Sequence, residues 1–190
     1  IDLQRIPDPC QARRTIMLHK PCGYICSRKS QCETSHTVYE LLSGIEERLV
    51  IAGRLDKDSE GLLLLSNDGA LVHQLSHPRF NQHKTYLASV SGTVDTDALT
   101  RLGSRLRIDG YTIQRSTVRI VRRREDRTEL EIILSEGRNR QIRKMCALVG
   151  LRVHRLQRIA IGNLGLGALA SARWRDLSTT ELRSLGQGAG

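Results

Sequence analysis

The sequence predicts an α+β fold in which helices cover one face of a mostly antiparallel sheet. Three observations carry this reading. Between Lys84 and Ile161 the patterning runs strand, helix, strand, strand, helix, strand, an order that builds an antiparallel sheet with helices on one side. Leu62-Leu63-Leu64-Leu65 is an unbroken apolar run closed by Ser66-Asn67-Asp68-Gly69, the pattern of a fully buried strand ending in a turn. The chain has 190 residues, 39% hydrophobic and 26% charged, enough for one globular domain with a real core or two small lobes sharing a cleft.

Taken in order, residues 1–14 contain Pro7 and Pro9 without an apolar signal core and read as a leader or linker. Thr15–His19 alternates as a strand, Lys20-Pro21-Cys22-Gly23 is a turn, and Tyr24–Ser27 begins a second short strand. A short helix is expected over Thr37–Leu42 with Gly44 at its C-terminal side, then a strand at Leu49–Ala52. Ala70–Leu75 reads as a helix, with His73 and His77 near its end as surface or capping groups. A strand from Lys84 to Val90 ends at Gly92, and a helix over 95–102 takes Asp95 as N-cap. Strands 112–123 and 128–135 follow, joined by a charged turn at Glu125-Asp126-Arg127, with Arg122-Arg123-Arg124 as its solvated flank. In Asn139–Val149, Ile142, Met145, Cys146 and Val149 fall on one helical face, and Gly150 stops the helix. The strand Leu151–Ile161 closes the pattern. Ser178-Thr179-Thr180-Glu181 is a capping box for a last helix to about Leu185, followed by a glycine-containing tail at 186–190.

The placement of charge narrows the partners. The net charge is +10, and from Gly137 to Arg175 nine Arg and Lys residues occur with no Asp or Glu. A basic tract so concentrated points to a polyanion. Aromatics are only 3%, so the grip is expected to rest on phosphate contacts, with little base stacking. No apolar stretch approaches the roughly 18–20 residues of a membrane span, and no membrane partner is expected. Five cysteines, at 10, 22, 26, 32 and 146, form no even framework, as befits free thiols in a reducing cytoplasm. Cys22, Cys26, Cys32 and His36 could supply four zinc ligands, but C-x3-C-x5-C-x3-H is not a common structural-zinc spacing. No metal is expected there.

The chemical centre of the sequence is Gly53-Arg54-Leu55-Asp56, running on through Lys57-Asp58-Ser59-Glu60-Gly61 into the apolar run. Arg54 and Asp56 are two residues apart, which in an extended segment puts them on one face. A neighbouring arginine favours the charged carboxylate, and an ionised carboxylate held between two buried strands can act as a nucleophile or an anchor. An Arg–Asp pair alone fits an ordinary surface loop. The longer pattern Gly-Arg-Leu-Asp-x-x-Ser-x-Gly-Leu-Leu, followed by Ser-Asn-Asp-Gly, resembles the catalytic motif of the ribosomal RNA pseudouridine synthases of the RsuA/RluB/RluE/RluF family. Lys84-Thr85-Tyr86 and Glu136-Gly137-Arg138-Asn139-Arg140-Gln141-Ile142-Arg143 match two further motifs of that family, in the family's order.

The resemblance covers about Thr15–Leu185 and implies a pseudouridine synthase fold, its lobes at about 15–83 and 84–185 flanking a basic cleft. It is closest in layout to the short RluE/RluF-type catalytic domain; many relatives carry an S4-type RNA-binding domain first, and the 14 residues before Thr15 are shorter than one. It implies isomerisation of a uridine to pseudouridine in structured RNA, with 23S ribosomal RNA as the expected substrate, a monomeric enzyme and no organic cofactor or metal. Asp56 would be the nucleophile, attacking either the sugar or the base. Arg143 would pair with it, Tyr86 would stack on the uracil, Ile142 would line the base pocket, and Arg54 would help open the site or hold displaced RNA. Arg138, Arg140, Lys144, Arg152, Arg155 and Arg158 are the expected RNA contacts. Two rivals have distinct signatures. A non-catalytic RNA-binding or ribosome-assembly protein on this fold would be free to lose Asp56. A methyltransferase would need a strand followed by a glycine-rich cofactor loop, which is absent early in the chain.

Overall fold

The computed structural model describes residues 12–28, 35–80 and 82–186. One mixed sheet organises them. Its strands in chain order are β1 (Thr15–Lys20), β2 (Val50–Ala52), β3 (Glu60–Ser66), β4 (Lys84–Ser91), then a two-stranded hairpin of β5 (Arg107–Ile108) and β6 (Tyr111–Thr112) outside the sheet, and β7 (Thr117–Arg123), β8 (Thr128–Leu134), β9 (Arg152–Ile161), β10 (Leu164–Gly165) and β11 (Trp174–Asp176). The helices are α1 (Gly69–Ser76), α2 (Thr96–Gly103), α3 (Gln141–Leu148) and α4 (Thr179–Gly186). The main path runs β11-β1-β3-β9-β4-β8-β7, antiparallel except where β3 meets β9. This is the α+β architecture expected from the pattern.

β3 is the apolar run, and it is buried on both faces. Leu62 and Leu64 join a core with Met17, Ala52 and Leu75, while Leu63 and Leu65 face a second core with Ile16, Leu18 and Val38. Beyond β3, Tyr86, Ala88 and Val90 of β4 alternate onto one face and pack with Leu102 of α2 and Ile142, Met145 and Cys146 of α3. On the opposite face, Leu87, Ser89, Arg155 and Gln157 line an open cavity to which no helix among the described residues contributes. After Ile161 the chain crosses back: β11 pairs with β1, and Leu164, Leu166, Leu177 and Leu185 pack with Met17 and Leu62. Residues 164–185 thus sit with the first half of the chain, although the expected lobe boundary at residue 83 assigned them to the second.

Two strands share one edge of β3, and this sets up the site. β9 takes its start, pairing Glu60 with Gln157 and Gly61 with Arg158, whereas β2 takes its end, pairing Ala52 with Leu64 and Val50 with Ser66. The segment 53–59 must leave the sheet where these two partners diverge. Gly61 makes the junction possible: a Cβ there would lie 2.2 Å from the Arg158 carbonyl oxygen, and its φ of +106° belongs to glycine. The Gly in Ser-x-Gly-Leu-Leu is therefore required by the close approach of β9.

Three helices begin at side-chain caps, while α3 begins at Gln141, two residues after the expected Asn139, behind Arg140 at φ +52°. Asp68 accepts the Ala70 and Leu71 N–H groups, Asp95 accepts that of Ala98, and the Ser178–Glu181 box closes in both directions. The expected helix over Thr37–Leu42 is a 3-10 turn at Val38–Leu41. The expected strand 112–123 breaks, with β6 ending at Thr112 and β7 starting at Thr117. Its first residues belong instead to a hairpin whose turn, Asp109-Gly110, has φ of +51° and +78°. Asp-Gly is the residue pair that such a two-residue turn favours.

Candidate active site

Gly53, at φ +80°, ends β2 and turns the chain into the loop, its N–H donating to Ser76 Oγ at 3.0 Å. Arg54 and Asp56 accordingly lie in a loop and not on a strand end, yet exposure still alternates: Arg54 is exposed, Leu55 buried, Asp56 half-buried. The loop is gripped from several sides. Gly23 N–H donates to the Lys57 carbonyl at 2.8 Å, Ser59 N–H to the Asp56 carbonyl at 3.1 Å, and Leu55 N–H to Cys26 Sγ at 3.5 Å.

Two buried cations reach it from below. Lys20 is fully buried, and its Nζ donates to the carbonyls of Ser59 at 2.6 Å, Pro21 at 3.0 Å and Lys57 at 3.4 Å. Burial pulls its ammonium below the ordinary lysine value, while Cys26, Cys22, Asp58 and Asp56 work against that. Arg158 is 1% exposed; its Nε donates to the Leu62 carbonyl at 2.8 Å and its Nη1 to the Arg54 carbonyl at 3.3 Å. The expected RNA contact by Arg158 is therefore corrected: this guanidinium ties the two ends of the loop and cannot reach a phosphate outside.

Arg143 requires a second correction. The resemblance pairs it with Asp56, whereas here its Nη2 donates to the Asp58 carbonyl at 2.7 Å, its Nη1 to the Val153 carbonyl at 3.1 Å, and its Nε stands 3.2 Å from Asp58 Oδ2. Arg140 holds the same carboxylate through two parallel bonds of 2.9 and 2.8 Å. Burial opposes ionisation of Asp58, but the Arg140 hydrogen bonds and the Arg143 and Arg140 charges outweigh it and hold the carboxyl below its usual range. Asp58 was missed in the sequence because it stands inside the motif without a role of its own; the signal was its spacing of two from Asp56, on a loop facing a helix rich in arginine.

Asp56 is left in the opposite state. Among the described residues no side chain hydrogen-bonds or ion-pairs with its carboxylate, although its charge bears on Lys20 and Arg140. Leu55, next to Asp56 in the chain, belongs to the same apolar core as Tyr86 and Ile142, which are 8% and 3% exposed. A carboxylate without a side-chain partner can present an acceptor or a nucleophile to a substrate.

The remaining expected contacts scatter. Arg138 lies over the Tyr111 ring, 3.1 Å from its centroid, and Lys144 pairs with Asp109. Arg152 is exposed. Arg155 opposes Ser89 on the face of the sheet away from Tyr86 and pairs with Glu60. Of the four zinc candidates, Cys22 is exposed, Cys26 bonds to the loop, His36 Nδ1 lies 2.8 Å from Glu40 Oε2, and Cys32 lies outside the described residues.

Comparison with known proteins bears on the family and the fold. The family described as RNA pseudouridylate synthase matches residues 14–148. An uncharacterized RNA pseudouridine synthase of Aquifex aeolicus is 37% identical over 190 residues, covering 100% of this chain and 76% of its own length. A ribosomal large subunit pseudouridine synthase E of Xanthomonas campestris pv. campestris is 40% identical over 177 residues, covering 84% of this chain and 93% of its own. A crystal structure of a pseudouridylate synthase superposes with a TM-score of 0.82 at 29% identity, covering 92% of this chain and 74% of that one.

Proposed function

Because the chain belongs to the RNA pseudouridylate synthase family, we propose that it isomerises a specific uridine of large-subunit ribosomal RNA, with Asp56 as the nucleophile. The observation that carries this reading is the contrast between two carboxylates on one loop. Asp58 is taken up by Arg140 and Arg143 and locks the loop to α3. Asp56 has no such partner among the described residues and keeps its lone pairs for a substrate.

In the reaction the bond between N1 of the uracil and C1′ of the ribose breaks, the base turns, and C5 bonds to C1′. The C5 proton is lost to solvent and N1 gains one, so atoms and electrons balance without a co-reactant. Asp56 supplies the electron pair that opens the sequence, at the sugar or at the base. Tyr86 offers its ring to the uracil, with Leu55 and Ile142 closing the pocket. Taking the base out of its stack costs a few kcal/mol, which phosphate contacts by exposed residues such as Arg54 and Arg152 offset. The large-subunit assignment is supported by the name of the Xanthomonas relative.

The test is tritium release from unmodified transcripts labelled at C5 of uridine. Release is expected from large-subunit ribosomal RNA, saturating at about one tritium per modified site. Release only from small-subunit RNA or tRNA would move the substrate and keep the reaction. No release from any of the three would overturn the proposed reading.

A further inference from the structure

The β5–β6 hairpin has no place in the chemistry above, and its surface is unusual for this chain. Tyr111, one of only four tyrosines, is 43% exposed. One face of its ring is covered by the Arg138 guanidinium, whose own side chain is 46% exposed. Arg107 of the hairpin and Arg105 and Arg115 on its flanks are exposed, and no carboxylate among the described residues pairs with them. The hairpin is fixed in place: Ile108 and Leu106 pack against the core containing Ile142, and Asp109 pairs with Lys144. Lys144 stands one helical turn beyond Arg140, which holds Asp58 of the loop. Residues so spaced lie roughly 5–6 Å apart on one helix face, so the hairpin continues the wall that begins at the loop of Asp56.

We propose that this hairpin is a second RNA-binding element, in which the Arg138–Tyr111 stack receives an unpaired base flanking the target uridine and Arg105, Arg107 and Arg115 contact the adjoining phosphates. The inference rests on the reading of the chain as an RNA-modifying enzyme and names a substrate contact beyond the target base. An aromatic ring backed by a guanidinium presents a flat face that any base can stack on. Unpaired arginines beside it supply the sequence-independent grip of a backbone site. Because Tyr111 is exposed, its truncation leaves the core intact.

The experiment measures KM and kcat by tritium release and RNA affinity by anisotropy across a salt series. The proteins are wild type, Tyr111→Phe, Tyr111→Ala, Arg107→Glu and a control, Arg119→Ala, on the outer strand β7. Tyr111→Ala is expected to raise KM and the RNA Kd roughly tenfold, with Tyr111→Phe retaining wild-type values. Arg107→Glu is expected to weaken binding and flatten its salt dependence, and Arg119→Ala to do neither. Wild-type KM and Kd in Tyr111→Ala, from an enzyme that still releases tritium, would overturn the hairpin proposal and leave the proposed reaction standing. Loss of affinity in Tyr111→Ala with no tritium release even from wild type would sustain the RNA contact and overturn the reaction.

Discussion

Asp56 and Asp58 face the same basic helix and differ in what holds them. Asp58 is ion-paired to two guanidinium groups, whereas Asp56 makes no side-chain ion pair among the described residues and meets the Arg140 charge only at longer range. The buried cations are also held by backbone: Lys20 by carbonyls of the loop, and Arg158 by the carbonyls of Arg54 in the loop and Leu62 in β3. Arg158→Met should therefore lower stability by about 1–3 kcal/mol through the carbonyls it abandons and reduce kcat, while leaving RNA affinity within about twofold. Urea unfolding together with RNA binding checks this; a large loss of affinity with unchanged stability would return Arg158 to the RNA. That Arg158 is buried was not legible from its alternating basic strand, because burial depends on which face β3 closes. Asp56 and Ile142 could be singled out in the sequence because their motifs are long, and Tyr86 because its short motif falls between them in the family's order. The partner of Arg143 could not, since a difference of two residues along a loop is decided by how that loop folds.

The elements were most legible where a local rule suffices. Capping residues at Asp95 and Ser178 mark their helices, and Leu62–Leu65 marks the doubly buried strand. The hairpin at Asp109-Gly110 carried an equally local signal, obscured because its strands are only two residues long and merge with β7 in an alternating stretch. The return of β11 to β1 is non-local and left no pattern in the sequence. At α4 the capping box has a measurable consequence. The Arg175 hydrogen bonds, followed by the Ser178 N–H, hold the Glu181 carboxyl down at about 2. Its folded value lies below the unfolded one, so the stabilisation is present above about pH 4.5 and is lost as pH falls toward about 2. Glu181→Gln should cost about 1–2 kcal/mol at pH 7, with screening of this partly exposed pair allowed for. The gap from wild type should narrow steadily in urea titrations at pH 4 and pH 3; a gap independent of pH would show that the carboxylate charge contributes nothing.

On the scale of the whole molecule, the basic tract from Gly137 to Arg175 resolves into separate tasks. Arg140 and Arg143 fix the loop, Arg158 is buried against it, Arg155 faces the far side of the sheet, and Arg175 pairs with Glu181 of α4. Net charge along the sequence pointed to a polyanion, and the fold distributes only part of that charge to the outer surface. The sheet contributes the decisive geometry, since β2 and β9 part from one edge of β3 and release the loop of Asp56 between two cores. Asp56→Asn tests the central claim most directly, because it keeps the size and most of the polarity of the side chain and removes its nucleophilic charge. The measurement is single-turnover tritium release from the RNA that wild type modifies, beside RNA affinity and urea stability for both proteins. Release should fall by at least about a thousandfold while affinity and stability stay near wild type. Release within about tenfold of wild type, from an equally stable protein, would contradict the assignment of Asp56.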